Sequence, residues 1–330
     1  MKRAALFCPG RGAYTKKALR SLDADHPLVQ HAEQLRAERG LPSLVELDSM
    51  KTFDETLHLA PHNVSPLIHM TALIDAERAR RSYEIVCVAG NSLGWYTALA
   101  VSGALSFEDG FNLVQEIGLQ QKEHEHGGQI VYQVADEDWQ RDPEAEAAVE
   151  RALQTSDGEA FDSIDLGGLR VLAGSEKGIA HLMESLPRIE AGAEFFPYRL
   201  KKHGAYHTPL LQEVAQRVRQ NLPSLEFRAP ELTLIDGRGA RFTPWSTDPE
   251  ELRTYTMETQ FVTPFRFAES VRVALREYAP DHVVLPGPGK TLVNMVGRIV
   301  AMEGWRSITS RQDFENDLRA DEPFVVSLRR

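Results

Sequence analysis

The sequence predicts an α/β protein with a mainly parallel sheet, because short apolar runs alternate with helix-like segments. The run YEIVCVAG, residues 83–90, is rich in β-branched residues and is typical of a central strand. It is followed by SLGWYTALAVSGAL, which predicts a buried helix. The same order opens the chain with AALFCPG and returns near its end, where DHVVLPGPG precedes KTLVNMVGRIVAM. Such strand and helix units place parallel strands side by side.

The middle of the chain predicts a second, smaller unit. Its predicted order is strand, helix, two strands, helix and strand, carried by GGQIVYQVA, DPEAEAAVERALQT, FDSIDL, LRVLAGS, EKGIAHLMESLPRI and AEFFPYRL. This βαββαβ order is that of the ferredoxin-like split unit. We therefore expect a ferredoxin-like subdomain at 127–200, inserted into a core made of 1–126 and 201–330.

Composition excludes several functional classes. The net charge of −11 makes the chain a poor general partner for nucleic acid or anionic membrane. No apolar run is long enough for a signal peptide or a membrane span. The only cysteines, Cys8 and Cys87, lie in apolar runs typical of buried strands. We expect a cytoplasmic protein without a disulfide or a cofactor, and one that binds neither nucleic acid nor membrane.

A metal site is also not expected. His124 and His126 lie in KEHEHGG, but no third ligand is evident nearby. Alternating charges of this kind are typical of a solvated helix end.

One serine stands between two glycines at a predicted strand-to-helix junction. Gly90-Asn91-Ser92-Leu93-Gly94 matches the pattern G-x-S-x-G, in which a sharp turn exposes a serine above a sheet. The beginning of the following helix supplies positive potential and free N–H groups. We therefore predict that Ser92 is a nucleophile and that the N–H of Leu93 stabilises an oxyanion.

A nucleophilic serine needs a base. Of the eleven histidines, His207 in HGAYHTPLL is the most suggestive, because it follows a turn of small residues and precedes Thr208-Pro209, which can begin a helix. A histidine at such a junction can face a cleft. His203 lies close by in the sequence and is the alternative.

The chain resembles the malonyl-CoA:acyl carrier protein transacylase family, the acyltransferases of fatty-acid and polyketide synthesis. Five segments match the family in order, and together they span nearly the whole chain. They are CPGRGAY, GNSLGWYTAL, HGAYHTPLL, QFVTPFRF and LPGPGKTLVNMVGRI.

This resemblance implies an α/β-hydrolase-like core with a ferredoxin-like insert, in agreement with the pattern of elements. It also implies that an acyl group passes from coenzyme A to Ser92, with His207 as base, and then to the pantetheine thiol of an acyl carrier protein. The histidine would be oriented by a backbone carbonyl, and Gln260 would lie close to the active site. The second oxyanion donor would be the N–H of Arg11.

The departures from the family pattern concentrate at the predicted active site. Asn91 replaces a usual histidine, Trp95 a frequent glutamate, and Arg11 and Ser65 replace usual glutamines. Ile117 in LVQEIGLQQ replaces the arginine that clamps the malonyl carboxylate. A buried carboxylate beside isoleucine would be unpaired, so we expect an acetyl or longer uncharged acyl group.

Other interpretations stay open at this stage. Arg11 could restore the missing clamp from another side of the pocket. Water instead of a carrier thiol could resolve the acyl-serine, which would make the protein a hydrolase, or the chain could only dock a carrier protein. An esterase triad would need an acid such as Asp136, Asp162 or Asp165. The basic residues before His207, which are Arg199, Lys201 and Lys202, either steer an acidic carrier protein or form a solvated strand end.

Overall fold

The computed structural model describes residues 1–124, 126–191 and 194–329. Its core is a six-stranded sheet with the order β10-β9-β2-β1-β12-β13. The strands are β1 (Lys2–Cys8), β2 (Tyr83–Gly90), β9 (Leu234–Ile235), β10 (Arg241–Phe242), β12 (His282–Leu285) and β13 (Val325–Ser327). All neighbouring pairs are parallel except β9 with β10. The predicted mainly parallel α/β core is confirmed.

Helices connect and cover these strands. They are α1 (Pro27–Glu38), α2 (Leu44–Ser49), α3 (Glu55–His58), α4 (Pro61–Ser82), α5 (Leu93–Val101), α6 (Phe107–His124), α9 (Gln212–Asn221), α10 (Pro249–Thr254), α11 (Gln260–Val262), α12 (Phe267–Tyr278), α13 (Thr291–Met302) and α14 (Arg311–Asp317). Helices α4, α5 and α12 all pack against β2, so the strand that leads to the predicted nucleophile is buried in the centre of the core.

A second sheet has the order β11-β4-β5-β3-β8. Its strands are β3 (Gly128–Gln133), β4 (Ala160–Asp165), β5 (Leu169–Gly174), β8 (Tyr198–Arg199) and β11 (Phe265–Arg266), and its helices are α7 (Pro143–Gln154) and α8 (Glu176–Ser185). The antiparallel order β4-β5-β3-β8 is ferredoxin-like, as predicted. Strand β11 comes from outside 127–200 and pairs with β4, so the segment does not build this sheet alone.

The strand predicted over AEFFPYRL is divided in the structure. Glu194–Phe196 (β7) forms a hairpin with Ile189–Ala191 (β6), whereas Tyr198–Arg199 joins the second sheet. Pro197 lies between them and has no N–H for a ladder. Ala193, where the predicted strand begins, lies outside the described residues.

Helix α4 begins at Pro61, earlier than the Ser65-Pro66 start that the sequence suggested. Pro66 lies inside the helix, where it cannot donate to the carbonyl of His62. That carbonyl instead accepts hydrogen bonds from Arg36 Nη1 at 2.8 Å and Gln115 Nε2 at 3.1 Å. These bonds tie α4 to α1 and α6, and Ser65 and Ile117 lie on the two helices that Gln115 joins.

Cys8 and Cys87 are both buried free thiols, as the sequence suggested. Within the described ranges, no helix combines the length and the apolar character that a membrane crossing requires.

Candidate active site

Ser92 occupies a strained turn between β2 and α5. Its φ is 54° and its ψ is −111°, a conformation that residues other than glycine rarely adopt. The turn is also crowded. A Cβ on Gly94 would lie 2.1 Å from the Cys8 carbonyl oxygen, and one on Gly90 would lie 2.1 Å from the Gly94 carbonyl carbon. The backbone therefore approaches Gly90 and Gly94 so closely that neither position of the predicted G-x-S-x-G motif has room for a side chain.

The register of the two central strands brings the turn after β1 beside this serine. Cys8 pairs with Gly90 at the carboxyl ends of β1 and β2, and the N–H of Asn91 donates to the Cys8 carbonyl at 3.0 Å. The chain then continues through Gly10 into a 3₁₀ turn at Arg11–Ala13. Arg11 and Ser92 consequently line the same cavities.

Ser92 and His207 are in hydrogen-bond contact, with Oγ and Nε2 2.7 Å apart. The other ring nitrogen, Nδ1, lies 2.7 Å from the backbone carbonyl oxygen of Gln260. Since a carbonyl only accepts hydrogen bonds, Nδ1 carries the proton and Nε2 is left to accept one from the serine.

The side chain of Gln260 also forms a hydrogen bond with the backbone of Ser92. Its Nε2 donates to the Ser92 carbonyl at 3.3 Å, and its Oε1 accepts from the hydroxyl of Tyr96. The Ser92 carbonyl can only accept, so the amide nitrogen must face it and Tyr96 must be the donor on the other side. One residue therefore holds both Ser92 and His207.

Burial keeps His207 neutral. It lowers the pKa of His207 from 6.5 to about 4, although the hydrogen bond to Gln260 acts in the opposite direction. The neighbouring His203 is half-buried, and both desolvation and the charge of Arg11 hold its pKa well below 6.5. His203 Nδ1 contacts Gln129 Oε1 at 2.9 Å. Of the two candidate bases, His207 is the one that contacts Ser92.

Leu93 and Arg11, the predicted oxyanion donors, each occupy the first position of a helix, α5 and the 3₁₀ turn respectively. A backbone N–H at such a position has no partner within its own helix. Both residues line the cavity that contains Ser92. Their N–H groups are therefore placed where they can bind a developing negative charge.

Two cavities meet at Ser92. The smaller, of about 30 Å³, is lined by Arg11, Ser65, Ser92, Leu93, Tyr96, Ile117, Gln121, Tyr206, His207, Leu211, Gln260 and Phe261. The larger, of about 220 Å³, lies toward the second sheet, where Val131, Ile164, Leu166 and Val171 make it mostly apolar. Asn91 lines only the larger cavity, and the predicted Ile117 and Gln260 only the smaller one.

The acids proposed for an esterase triad are engaged elsewhere. Asp162 forms an ion pair with Arg170 at 2.9 Å, and Asp136 and Asp165 accept backbone N–H groups of their own turns. Because the Gln260 carbonyl occupies His207 Nδ1, an esterase triad with any of these acids is not formed.

Two of the three basic residues before His207 are also paired. Arg199 contacts Glu176 at 2.5 Å and Lys201 contacts Glu55 at 3.0 Å. In the part of the chain that the structure covers, no group of three or more histidine, cysteine or acidic side chains is placed to hold a metal ion.

Five side chains in the small cavity were not identified from the sequence as site residues: Tyr96, Gln121, Tyr206, Leu211 and Phe261. Tyr96 could have been found, because it lies one helical turn beyond Ser92 on the same face. Tyr206, whose hydroxyl accepts from Arg11 Nη1, and Gln121 on α6 reach the cavity only through tertiary packing.

Known proteins are similar to the chain in both sequence and fold. A malonyl CoA-acyl carrier protein transacylase of Haemophilus influenzae is 24% identical over 310 residues, which are 91% of this chain and 93% of that protein. The malonyl-CoA:ACP transacylase of Synechocystis superposes with a TM-score of 0.73 at 23% identity, covering 91% of this chain and 94% of that one.

A third similar protein is a malonyl-transacylase solved in complex with a type II polyketide synthase acyl carrier protein. It has a TM-score of 0.72 and 20% identity, and covers 92% of this chain and 94% of its own. No family model matches the chain. The chain is nevertheless a relative of the malonyl CoA-acyl carrier protein transacylases, with which it shares its fold.

Proposed function

We propose that the protein transfers an acyl group from coenzyme A to the phosphopantetheine thiol of an acyl carrier protein through an acyl-Ser92 intermediate. The observation that carries this proposal is the 2.7 Å contact between Ser92 Oγ and His207 Nε2, with Nδ1 turned to a backbone carbonyl. A serine hydroxyl that donates a hydrogen bond to a neutral histidine is an activated nucleophile.

In the first half-reaction, Ser92 Oγ attacks the thioester carbonyl and its proton passes to His207 Nε2. The N–H groups of Leu93 and Arg11 stabilise the oxyanion of the tetrahedral intermediate. The carbon–sulfur bond breaks, the coenzyme A sulfur takes the proton from Nε2, and the acyl-serine ester remains. The second half-reaction reverses these steps with the carrier thiol. The thiol gives its proton to Nε2 as its sulfur attacks the ester carbonyl, and Nε2 returns that proton to Ser92 Oγ as the ester C–O bond breaks.

The proposed partners follow from the relatives and from the larger cavity. One relative is named for transfer from malonyl CoA to acyl carrier protein, and another was solved bound to such a carrier. The 220 Å³ cavity meets the small one at Ser92, Arg11 and Tyr206 and is lined largely by aliphatic side chains. We assign it to the pantetheine arm, whose thioester would reach Ser92 from this side.

We assign the acyl group to the smaller cavity. Its volume of about 30 Å³ suits a short acyl group, and Ile117 forms one apolar wall. A malonyl carboxylate lying against Ile117 would be desolvated and unpaired, at a cost of several kcal/mol. We therefore propose that position 117 does not bind a malonyl carboxylate in this protein. Asn91, on the opposite side of Ser92, would contact the pantetheine arm.

The test is intact-mass spectrometry of the protein with acetyl-, butyryl- and malonyl-CoA, followed by addition of a holo acyl carrier protein. The expected result is a mass gain of one acyl group, absent in Ser92→Ala, that passes to the carrier. Loss of the adduct to water at the same rate with and without carrier would instead identify a hydrolase. No adduct from any thioester would contradict acyl transfer and leave only a carrier-docking role.

A further inference from the structure

The backbone carbonyl that contacts His207 lies directly after an irregular turn of helix. Tyr255–Thr259 forms a π-helix, and Gln260 follows it at the beginning of α11. The N–H of Gln260 donates to the carbonyl of Tyr255, five residues earlier. A π-turn contains one residue more than an α-turn, which rotates the residues after it by about 100° around the helix axis. The π-helix therefore sets the side of the helix on which the Gln260 carbonyl meets His207.

Pro264 keeps this carbonyl available to the histidine. In a continuing α-helix the Gln260 carbonyl would accept the N–H of residue 264, but proline has none. Proline also favours an extended conformation at the residue before it, and Thr263 has a φ of −119° and a ψ of 151°. The helix ends at this point, and the Gln260 carbonyl accepts from His207 Nδ1 at 2.7 Å instead.

Trp95 attaches the π-helix to the helix that carries Ser92. It lies in the first turn of α5, three residues after Ser92, and is completely buried. Its Nε1 lies 3.1 Å from Oγ1 of the equally buried Thr256, inside the π-helix. Because an indole N–H can only donate, the threonine hydroxyl is the acceptor. The Trp95 ring also meets the Tyr255 ring edge-on, with centroids 5.1 Å apart.

The contact between Trp95 and Thr256 distinguishes this chain from the pattern of the transacylase family. The family resemblance leads us to expect a glutamate at position 95. An ionised glutamate accepts hydrogen bonds and cannot donate one, and its complete burial would be costly. Trp95 lines neither of the two cavities that meet at Ser92, so its indole is not placed to bind a substrate.

We propose that Trp95 is a positioning residue for His207: through Thr256 it holds the π-helix that presents the Gln260 carbonyl to Nδ1. This proposal rests on the proposed function, since it concerns the histidine that would activate Ser92. Without the anchor, the π-helix can relax toward an α-helix and carry the Gln260 carbonyl away from the ring. The tautomer with its proton on Nε2 then becomes populated, and that tautomer cannot accept the serine proton.

The first measurement is the tautomer of His207, which does not depend on catalysis. Nitrogen NMR of protein with isotope-labelled histidine distinguishes a proton on Nδ1 from one on Nε2, and His207→Gln identifies the signal. We expect the Nδ1–H tautomer alone in the unsubstituted protein and a mixture of both tautomers in Thr256→Val, which keeps the side-chain shape but has no acceptor. Thr256→Ser keeps the hydroxyl and should retain the single tautomer.

The second measurement is the rate at which a fluorophosphonate modifies Ser92, followed by intact mass. Ser92 Oγ bonds to phosphorus, the P–F bond breaks, fluoride leaves, and the serine proton passes to His207 Nε2. We expect Thr256→Val to lower this rate about tenfold and Thr256→Ser to stay within about twofold. Trp95→Phe keeps an aromatic ring but not the N–H, so it tests the same bond from the other side if Thr256→Val does not fold.

The matched control is Thr97→Val. Thr97 is also buried, and its Oγ1 lies 2.9 Å from His69 Nδ1 in α4, so this substitution removes a similar hydrogen bond from α5 on the side away from the π-helix. It should change neither the tautomer nor the rate.

The proposal is overturned by a single tautomer and an unchanged rate in Thr256→Val and Trp95→Phe. Equal losses in Thr256→Val and in either Thr256→Ser or Thr97→Val would overturn it as well, because the effect would then not depend on the hydrogen bond to Trp95. If the fluorophosphonate does not modify even the unsubstituted protein, the proposed function fails, and the tautomer of His207 alone decides the role of Trp95.

Discussion

His207 Nδ1 contacts the carbonyl oxygen of Gln260 at 2.7 Å, in the position that a carboxylate holds in a serine triad. A neutral acceptor fixes the tautomer but stabilises an imidazolium less than a carboxylate does. Burial lowers the pKa of His207 to about 4, although the hydrogen bond to the Gln260 carbonyl acts in the opposite direction. His207, the proposed base, is therefore in its neutral, proton-accepting form over the whole range in which an ordinary histidine titrates.

This pKa predicts the pH dependence of acylation. The rate constant for acyl-Ser92 formation should be nearly constant from pH 8 to 5 and fall only as pH drops through about 4, where Nε2 becomes protonated. Rapid-quench measurement of the acyl-enzyme would show this limb, with circular dichroism at each pH to exclude unfolding. A midpoint near 6.5 would contradict the burial of the neutral ring.

Gln260 and Tyr96 hold Ser92 and His207 in position, and the substitution Tyr96→Phe tests this positioning role. The variant removes the donor to Gln260 Oε1 and leaves the amide free to turn away from the Ser92 carbonyl. We expect kcat to fall about tenfold with little change in KM, because the substitution displaces Ser92 and His207 relative to each other but leaves the cavity that binds the substrate unchanged. Stability should fall by about 1 kcal/mol.

The matched control for Tyr96→Phe is Tyr132→Phe. The Tyr132 hydroxyl is buried in the second sheet without a hydrogen-bond partner among the described residues. Its removal should leave both kcat and stability unchanged or slightly improve stability. Equal kinetic effects of the two substitutions would show that Tyr96 has no positioning role.

The predicted nucleophile and base lie in short motifs whose chemistry is local. The prediction of Ser92 rests on a strand-to-helix turn with two glycines, which imposes its own geometry. The prediction of His207 rests on its place between a turn of small residues and Thr208-Pro209, which can begin a helix. The carbonyl that orients His207 became visible only in the fold, since Gln260 is 53 residues away. The contact of Arg11 with Tyr206 joins residues 195 positions apart, and no sequence pattern reports it. Strand β7 was misplaced because a proline interrupts an otherwise strand-like run.

Gly94 predicts a stability effect that is independent of function. A methyl group there would meet the Cys8 carbonyl oxygen at 2.1 Å, and this oxygen belongs to the backbone of the central strand β1. Gly94→Ala should therefore destabilise the protein by at least about 3 kcal/mol, measured as the shift in urea unfolding. Gly12→Ala, where no atom lies within 4 Å, should change stability by less than about 0.5 kcal/mol. Similar values for the two variants would refute the close approach.

Arg329, through Asp75, supports the Gly287 loop, and this loop packs beside the turn that carries Arg11. Arg329 contacts both carboxylate oxygens of the buried Asp75, at 2.7 and 2.9 Å, and the same carboxylate accepts the N–H of Gly287 at 3.0 Å. The Gly287 loop in turn packs against Pro9, immediately before the Gly10-Arg11 turn. A charge pair more than 250 positions apart in sequence thus supports the turn that carries Arg11, the proposed oxyanion donor.

Removing this pair should affect stability and catalysis together. Arg329→Ala removes the closest cation from the buried Asp75 and leaves it the longer 3.5 Å ion pair with Arg78, which should cost about 3 kcal/mol and lower Tm. Because the Gly287 loop loosens, acylation should also slow more than the loss of folded protein explains, at a temperature where the variant is fully folded. Arg319→Ala is the control, since that side chain is 69% exposed and its ion pair spans 3.8 Å. Normal acylation by folded Arg329→Ala would show that the ion pair stabilises the fold without positioning the turn.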